Sequence, residues 1–130
     1  MKAYPKIILA SSSPRRRELL ERIGFKDFIV CPSAADETIP YRTKPHDAVI
    51  YLAGQKAKSV SETADKNALI IAADTIVVFQ SEILGKPTDA KDAFRMLSML
   101  SGQTHEVYTG LCVLHGDKEV RAYERTRVSF

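Results

Sequence analysis

Two cysteines in 130 residues leave little material for covalent architecture. Cys31 and Cys112 lie far apart, form no CxxC and match no metal-ligand spacing. A disulfide framework is not expected, and a reducing cytoplasm is the simplest compartment. Long apolar runs are missing too, since no stretch approaches the roughly 20 residues a membrane span needs. The N-terminal run Ile7–Ala10, preceded by Pro5, is too short for a signal peptide. Charge of one sign is scarce: 19 Lys+Arg against 16 Asp+Glu leave +3, too little to argue for nucleic acid or membrane as a partner. There is no tryptophan, repeat, low-complexity tract or Pro/Gly/Ser linker, and neither GxxxxGK[ST] nor GxGxxG occurs. What is present, 45% hydrophobic and 27% charged residues, is the composition of a soluble globular chain rather than a disordered one. The length suits one domain, residues 1–130.

Periodicity gives the coarse organisation. Lys6–Ala10 reads as a short buried strand, and Pro14 opens a helix to about Ile23 with Leu19, Leu20 and Ile23 on one face, stopped by Gly24. Phe28–Pro32 is a second strand and Ala34–Lys44 a polar loop. Pro45 begins a helix to about Thr63. Ala68–Ala73 and Thr75–Phe79 are apolar runs of strand length, with Gln80–Ser81 turning into Ile83–Leu84. Thr88 suits the N-cap of a third helix, on which Ala90, Ala93, Phe94, Leu97 and Leu100 make an apolar stripe before Gly102. Glu106–Leu114 and Glu119–Phe130 form a hairpin around His115–Lys118. Helices interleaved with strands, then a hairpin, predict an α/β or α+β fold with a mixed sheet.

Three positions break local rules. Ser13 and Pro14 make a good helix start, yet Arg15, Arg16 and Arg17 fill the first turn, where the helix dipole favours negative charge. Free N–H groups, the hydroxyls of Ser11, Ser12 and Ser13 and guanidinium forks together describe a phosphate site; a solvated basic turn is the plainer alternative. Lys56 is the second. Seven residues at about 100° each place it about 20° short of two full turns from Val49, on the apolar face of its helix. A lysine centred there must snorkel, shift its pKa or meet an anion. Asp74 is the third, interrupting ALIIAA-D-TIVVF. It needs a cation or metal, or sits at a strand end facing a cleft, as catalytic carboxylates do; otherwise it is a turn aspartate between two strands.

Other candidates carry less weight. Asp36 and Glu37 offer hard oxygen ligands suited to Mg²⁺ or Mn²⁺, although a loop acid is usually only solvated. Lys86, in the turn Gly85–Pro87, is of a kind that mostly faces solvent. His105 and His115 do not pair at a metal spacing. Met96 and Met99 read as packing, and Tyr108 and Tyr123 as strand formers rather than platforms for a base.

Six segments in order nevertheless make a specific pattern: LASSSPRRRELL (Leu9–Leu20), the acidic loop ending at Glu37, LAGQKA (Leu52–Ala57), AADTIV (Ala72–Val77), LGKP (Leu84–Pro87) and LSGQTHEVYTG (Leu100–Gly110). Together they closely resemble the Maf family of nucleoside triphosphate pyrophosphatases, once described as septum-formation inhibitors. The three anomalies fall on three of these segments.

The resemblance implies a fold like that of the inosine triphosphate pyrophosphatases, an elongated mixed sheet flanked by helices with a cleft between two lobes. It implies hydrolysis of a nucleoside triphosphate between the α and β phosphates, in the cytoplasm, by an enzyme that is a homodimer and needs Mg²⁺ or Mn²⁺. Asp74 would be the general base, Glu37 and Asp74 the metal ligands, and Arg15, Arg16, Lys56 and Lys86, beside Ser12, the groups that grip the phosphates. Arg15 directly after Ser-Pro and Thr75 directly after Asp74 are similar to the dTTP/UTP branch; a 7-methyl-GTP branch has an aromatic residue and Gln there. The family pattern continues with Lys-Ala-Gly and Gly-Ile-Gln-Gly segments that this sequence does not contain, so it reads as a Maf-like domain lacking its C-terminal part. Two other expectations compete with an active enzyme. One is a nucleotide-binding protein without turnover, acting in cell division. The other is a small basic nucleic-acid binder, which would show steep salt dependence and no metal requirement.

Overall fold

Residues 69–79 form one continuous strand, not two. The computed structural model describes residues 6–11, 13–25, 27–33, 38–40, 42–85 and 87–129. Its elements are β1 (Ile7–Leu9), α1 (Pro14–Arg22), β2 (Phe28–Val30), α2 (Pro45–Ser61), β3 (Leu69–Phe79), β4 (Glu82–Leu84), α3 (Ala90–Leu100), β5 (Thr104–His115) and β6 (Lys118–Ser129). Asp74 therefore does not turn the chain. The turn-aspartate alternative is corrected by an unbroken register with β5, from Leu69 opposite His115 to Val78 opposite Glu106. Pairing with β5 before, at and after Asp74 holds its backbone extended, so the side chain is what must find a partner.

The strands form one mixed sheet in the order β2-β1-β3-β5-β6, with β4 added to β3. β1 runs parallel to β2 and β3, while β3–β4, β3–β5 and β5–β6 are antiparallel. The β3–β4 hairpin turns through Gln80 and Ser81, both at positive φ (50° and 67°), as a tight two-residue connection between twisted strands requires.

The edge of β3 away from β5 is only partly covered. β1 pairs with it as far as Ile71 and β4 starts again at Val77. Between them, among the described residues, no strand pairs with Ala72–Ile76. This notch lies where a parallel strand ends and its loop departs, the place where open α/β sheets present a crevice.

The helix α2 covers one face. Burial along β3 alternates strictly, with Ile70, Ala72, Asp74, Ile76 and Val78 inward, as one half-buried face demands. Two apolar clusters form beneath the helix. Ile8, Ala10, Ala53, Ala57, Val60, Ala68, Ile70, Ala72 and Cys112 make one, and Val49, Leu52, Ile76, Val78 and Tyr108 belong to the other. Asp74 lies between Ala72 and Ile76, at the seam. Helix and sheet come very close at Gly110, where an added Cβ would overlap the Val49 carbonyl and lie 2.8 Å from the Val49 Cβ.

The remaining helices pack lightly. α1 buries no residue, and α3 buries only Leu100. On α3 the apolar stripe has the predicted period, but Phe94 (75%) and Leu97 (56%) are exposed. The α3 N-cap is Asp89 rather than Thr88: the Asp89 carboxylate accepts from the Asp92 N–H at 2.7 Å. Thr88 instead donates its own N–H to Asp92, which also accepts from Arg95. That backbone hydrogen bond, then the arginine, hold the Asp92 carboxyl below its ordinary value. This tie between α3 and the segment after Pro87 is present above the ordinary carboxylate range and lost as pH falls through the lowered value. Among the described residues no helix is long and apolar enough to cross a membrane.

Candidate functional site

At the seam between the two clusters, Lys56 and Asp74 answer each other. The Lys56 Nζ donates to Asp74 Oδ1 at 3.1 Å, and the side chains are 13% and 10% exposed. Each is the partner that burial of the other demands. The helix supplies the lysine because position 56 falls on the apolar face of α2, flanked by buried Ala53 and Ala57. The strand supplies the carboxylate because even-numbered residues of β3 face that helix. Both groups stand beside the notch at Ala72–Ile76.

The segment after β1 arrives at the same notch. Ala10 and Ser11 are buried, and the Ala10 N–H donates to the Ile71 carbonyl at 2.8 Å. Ser11 Oγ accepts from the Ser13 N–H at 3.0 Å, and Ser13 Oγ accepts from the Arg16 N–H at 3.4 Å as the N-cap of α1. With Pro14 first and no acid in the first turn, this end of α1 presents N–H groups and guanidinium groups together, which favours an anion. Arg16 Nη2 reaches across the sheet edge to Thr75 Oγ1 at 3.3 Å. Arg17 pairs with Glu21 along the helix at 3.5 Å, an exposed contact of little energetic weight.

Of the residues singled out from sequence, the structure brings together Lys56 and Asp74, and joins Arg16 to Thr75 beside them. Arg15 is exposed on the same turn, with no hydrogen bond to this group among the described residues. Ser12, Glu37 and Lys86 lie outside the described residues. Thr75 points to the face opposite Asp74, as adjacent residues of a strand must. There its hydroxyl meets that of Thr109 at 3.2 Å. Sequence reasoning assigned Thr109 no role; had β3 been read as unbroken, counting the register against β5 would have found it.

Metal chemistry has a limited protein share here. Among the described residues no group of three or more His, Cys, Asp or Glu side chains could hold a metal ion. A single hard carboxylate, with Lys56 on Oδ1, nevertheless suits a cation of the Mg²⁺ or Mn²⁺ type, which takes one or two carboxylates and completes its shell with water and phosphate oxygens. Cys112 is no competing nucleophile. Burial first, then the Glu119 carboxylate 3.6 Å away, push its thiol above the ordinary value, so it stays protonated and packs. His105 is buried and His115 exposed. Tyr108 packs in the core, and Tyr123 stacks on His46 with ring centroids 5.2 Å apart.

The family model "Maf-like protein" matches residues 6–130. Proteins of Bacillus cytotoxicus and Bacillus cereus (strain AH820), each named dTTP/UTP pyrophosphatase, are 51% and 50% identical over 125 residues. The match covers 96% of this chain, which spans 64% of the length of each relative. Among solved structures, the Staphylococcus aureus Ham1 protein superposes with a TM-score of 0.65 at 14% identity, covering 94% of this chain and 70% of its own. A nucleoside-triphosphatase / dITP/XTP pyrophosphatase from Mycobacterium abscessus superposes at 0.55 with 16% identity, covering 95% and 72%. At such identities the likeness is one of fold.

Proposed function

The chain belongs to the Maf family, and from that premise we propose that it hydrolyses nucleoside triphosphates, dTTP and UTP foremost, to the monophosphate and pyrophosphate. One observation carries the reading: a nearly buried Lys56–Asp74 pair at an unpaired stretch of β3, with Arg16 anchored one residue further on. A lysine-held carboxylate, with a cation-rich helix start reaching the next residue of the strand on its other face, suits the opening of a phosphoanhydride, because such reactions run mainly on positioning and charge neutralisation. The relatives' names support the substrate class.

Asp74 acts as general base, taking the proton of the water that opens the α–β anhydride. Lys56, which donates to Asp74, also grips a phosphate oxygen. Arg15, Arg16, Lys86 and the Ser12 hydroxyl grip the polyphosphate, and Arg15 with Thr75 selects the pyrimidine nucleotide. Asp74 with Glu37 holds the divalent cation, Mg²⁺ or Mn²⁺, which supplies charge neutralisation on the phosphates. A cytoplasmic compartment, where free nucleotides are the substrate pool, and a homodimer, by analogy with the family, belong to the same proposal.

The test is pyrophosphate release from a panel of nucleoside triphosphates with Mg²⁺ or Mn²⁺. Release favouring dTTP and UTP is expected, stopping with a chelator and returning with either metal. Nucleotide binding without release would overturn the enzyme reading in favour of a binding role, with septum formation the process to examine. Lys56→Ala is expected to act on binding more than on the chemical step. A charge-assisted hydrogen bond is worth about 1.5–3 kcal/mol, so KM for dTTP rises about 10- to 100-fold while kcat changes far less. Steady-state kinetics separate the two.

A further inference from the structure

Of the hydroxyl pair on the far face of β3, Thr109 has no part in the roles assigned so far. Its geometry follows from the register. The Leu69 N–H donates to Lys6 and the Ile71 carbonyl accepts from Ala10, so odd-numbered residues of β3 direct their backbone groups toward β1. Thr75 and Thr109 are directly opposite in the β3–β5 ladder. They form a pair without mutual backbone hydrogen bonds, the kind in which side chains approach most closely. Both side chains are β-branched and stiff about χ1, so each hydroxyl has few alternative positions.

Thr75 Oγ1 carries two contacts, Arg16 Nη2 at 3.3 Å and Thr109 Oγ1 at 3.2 Å. A hydroxyl offers one proton and two lone pairs. Arg16 can only donate, so it takes one lone pair, and Thr109 takes either the other lone pair or the proton. The chain Thr109–Thr75–Arg16 therefore ties the floor of the sheet to the first turn of α1. That helix buries no residue of its own, which leaves few other contacts to fix its guanidinium groups.

We propose that Thr109 is a positioning residue for nucleotide binding: its hydroxyl fixes Thr75, and through Thr75 the Arg16 guanidinium. The proposal rests on the reading of this site as a nucleoside triphosphate site. Thr109 need not touch the nucleotide itself. Its loss lowers affinity and leaves the chemical step at Asp74, on the other face of β3, unchanged.

The experiment compares the parent chain with Thr109→Val, which keeps the shape and removes the hydroxyl, and Thr109→Ser, which keeps the hydroxyl. KM and kcat for dTTP and UTP are measured, together with the heteronuclear NOE of the Arg16 Nε–H group by NMR. Thr109→Val is expected to raise KM about three- to tenfold, the loss of one ordinary hydrogen bond, with kcat within about twofold and a more mobile Arg16. Thr109→Ser is expected to stay within about twofold of the parent in both. Unchanged KM and NOE in Thr109→Val overturn the proposal. So does equal impairment of both variants, or a fall in kcat at constant KM, because those mark a purely steric role. If Thr109→Val fails to fold, Thr109→Ala gives the same comparison. A parent that releases no pyrophosphate from any triphosphate overturns the enzyme reading, and the Arg16 NOE then decides the positioning role by itself.

Discussion

Asp74→Asn is expected to lower kcat for pyrophosphate release from dTTP by about 10²–10⁴-fold, the span that removing a general base covers. The substitution conserves shape and leaves an amide oxygen able to accept from the Lys56 Nζ now 3.1 Å from Oδ1. Stability should therefore change little. Deleting one partner of a fully buried ion pair costs about 3–5 kcal/mol, but this pair borders the notch in β3, where water can reach the ammonium. The unfolding free energy is expected to stay within about 2 kcal/mol of the parent. Kinetics and urea titration on one preparation check both statements. A variant that hydrolyses dTTP as fast as the parent overturns the assignment of the base.

Gly110→Ala produces the largest expected loss of stability. The obstacle is the backbone of α2 at Val49, not the end of a flexible side chain, so a methyl group there forces the helix away from the sheet. Overpacking of this kind costs about 1–3 kcal/mol and more where backbone must move; about 3 kcal/mol is expected. The urea midpoint should fall with an unchanged slope. Function suffers with it. Val49 lies two turns from Lys56 on the same helix, so displacing α2 draws the ammonium off Asp74, and kcat/KM for dTTP falls even under conditions where the variant remains folded. A stability within about 0.5 kcal/mol of the parent would show that the close approach at Gly110 is not as described.

How far the sequence could be read depended on the range of the interactions involved. Period-based inferences did well because periodicity is local: the α2 stripe, the β5–β6 hairpin and the Ser13–Pro14 start of α1 are all present. Lys56 was placed by helical arithmetic alone, and Asp74 by the cost of burying a carboxylate. That each is the other's partner was not legible, since nothing local fixes α2 above β3. Asp74 itself left two readings open because a carboxylate in an apolar run fits a turn as well as a strand; the ladder with β5 decides between them. Arg16 and Thr75 are 59 positions apart, beyond any spacing rule. The α3 stripe marks a further gap between pattern and packing: Phe94 and Leu97 have the helical period of a buried face and are exposed. Period reports which residues share a side, and it does not report what that side meets.

The interruption in the edge of β3 also limits how far another polypeptide could pair with it there. Unpaired strand edges are templates for intermolecular pairing and amyloid-like growth. Here the bare stretch, Ala72–Ile76, is flanked on the same edge by β1 and β4. At about 3.3 Å per residue the opening is about 17 Å long. A strand from another molecule would have to enter between two fixed strands, without room to extend past either. A small polar molecule faces no such restriction. Among the described residues no strand pairs with this stretch on that edge, and its bracketing by β1 and β4 favours a small solute there over another polypeptide.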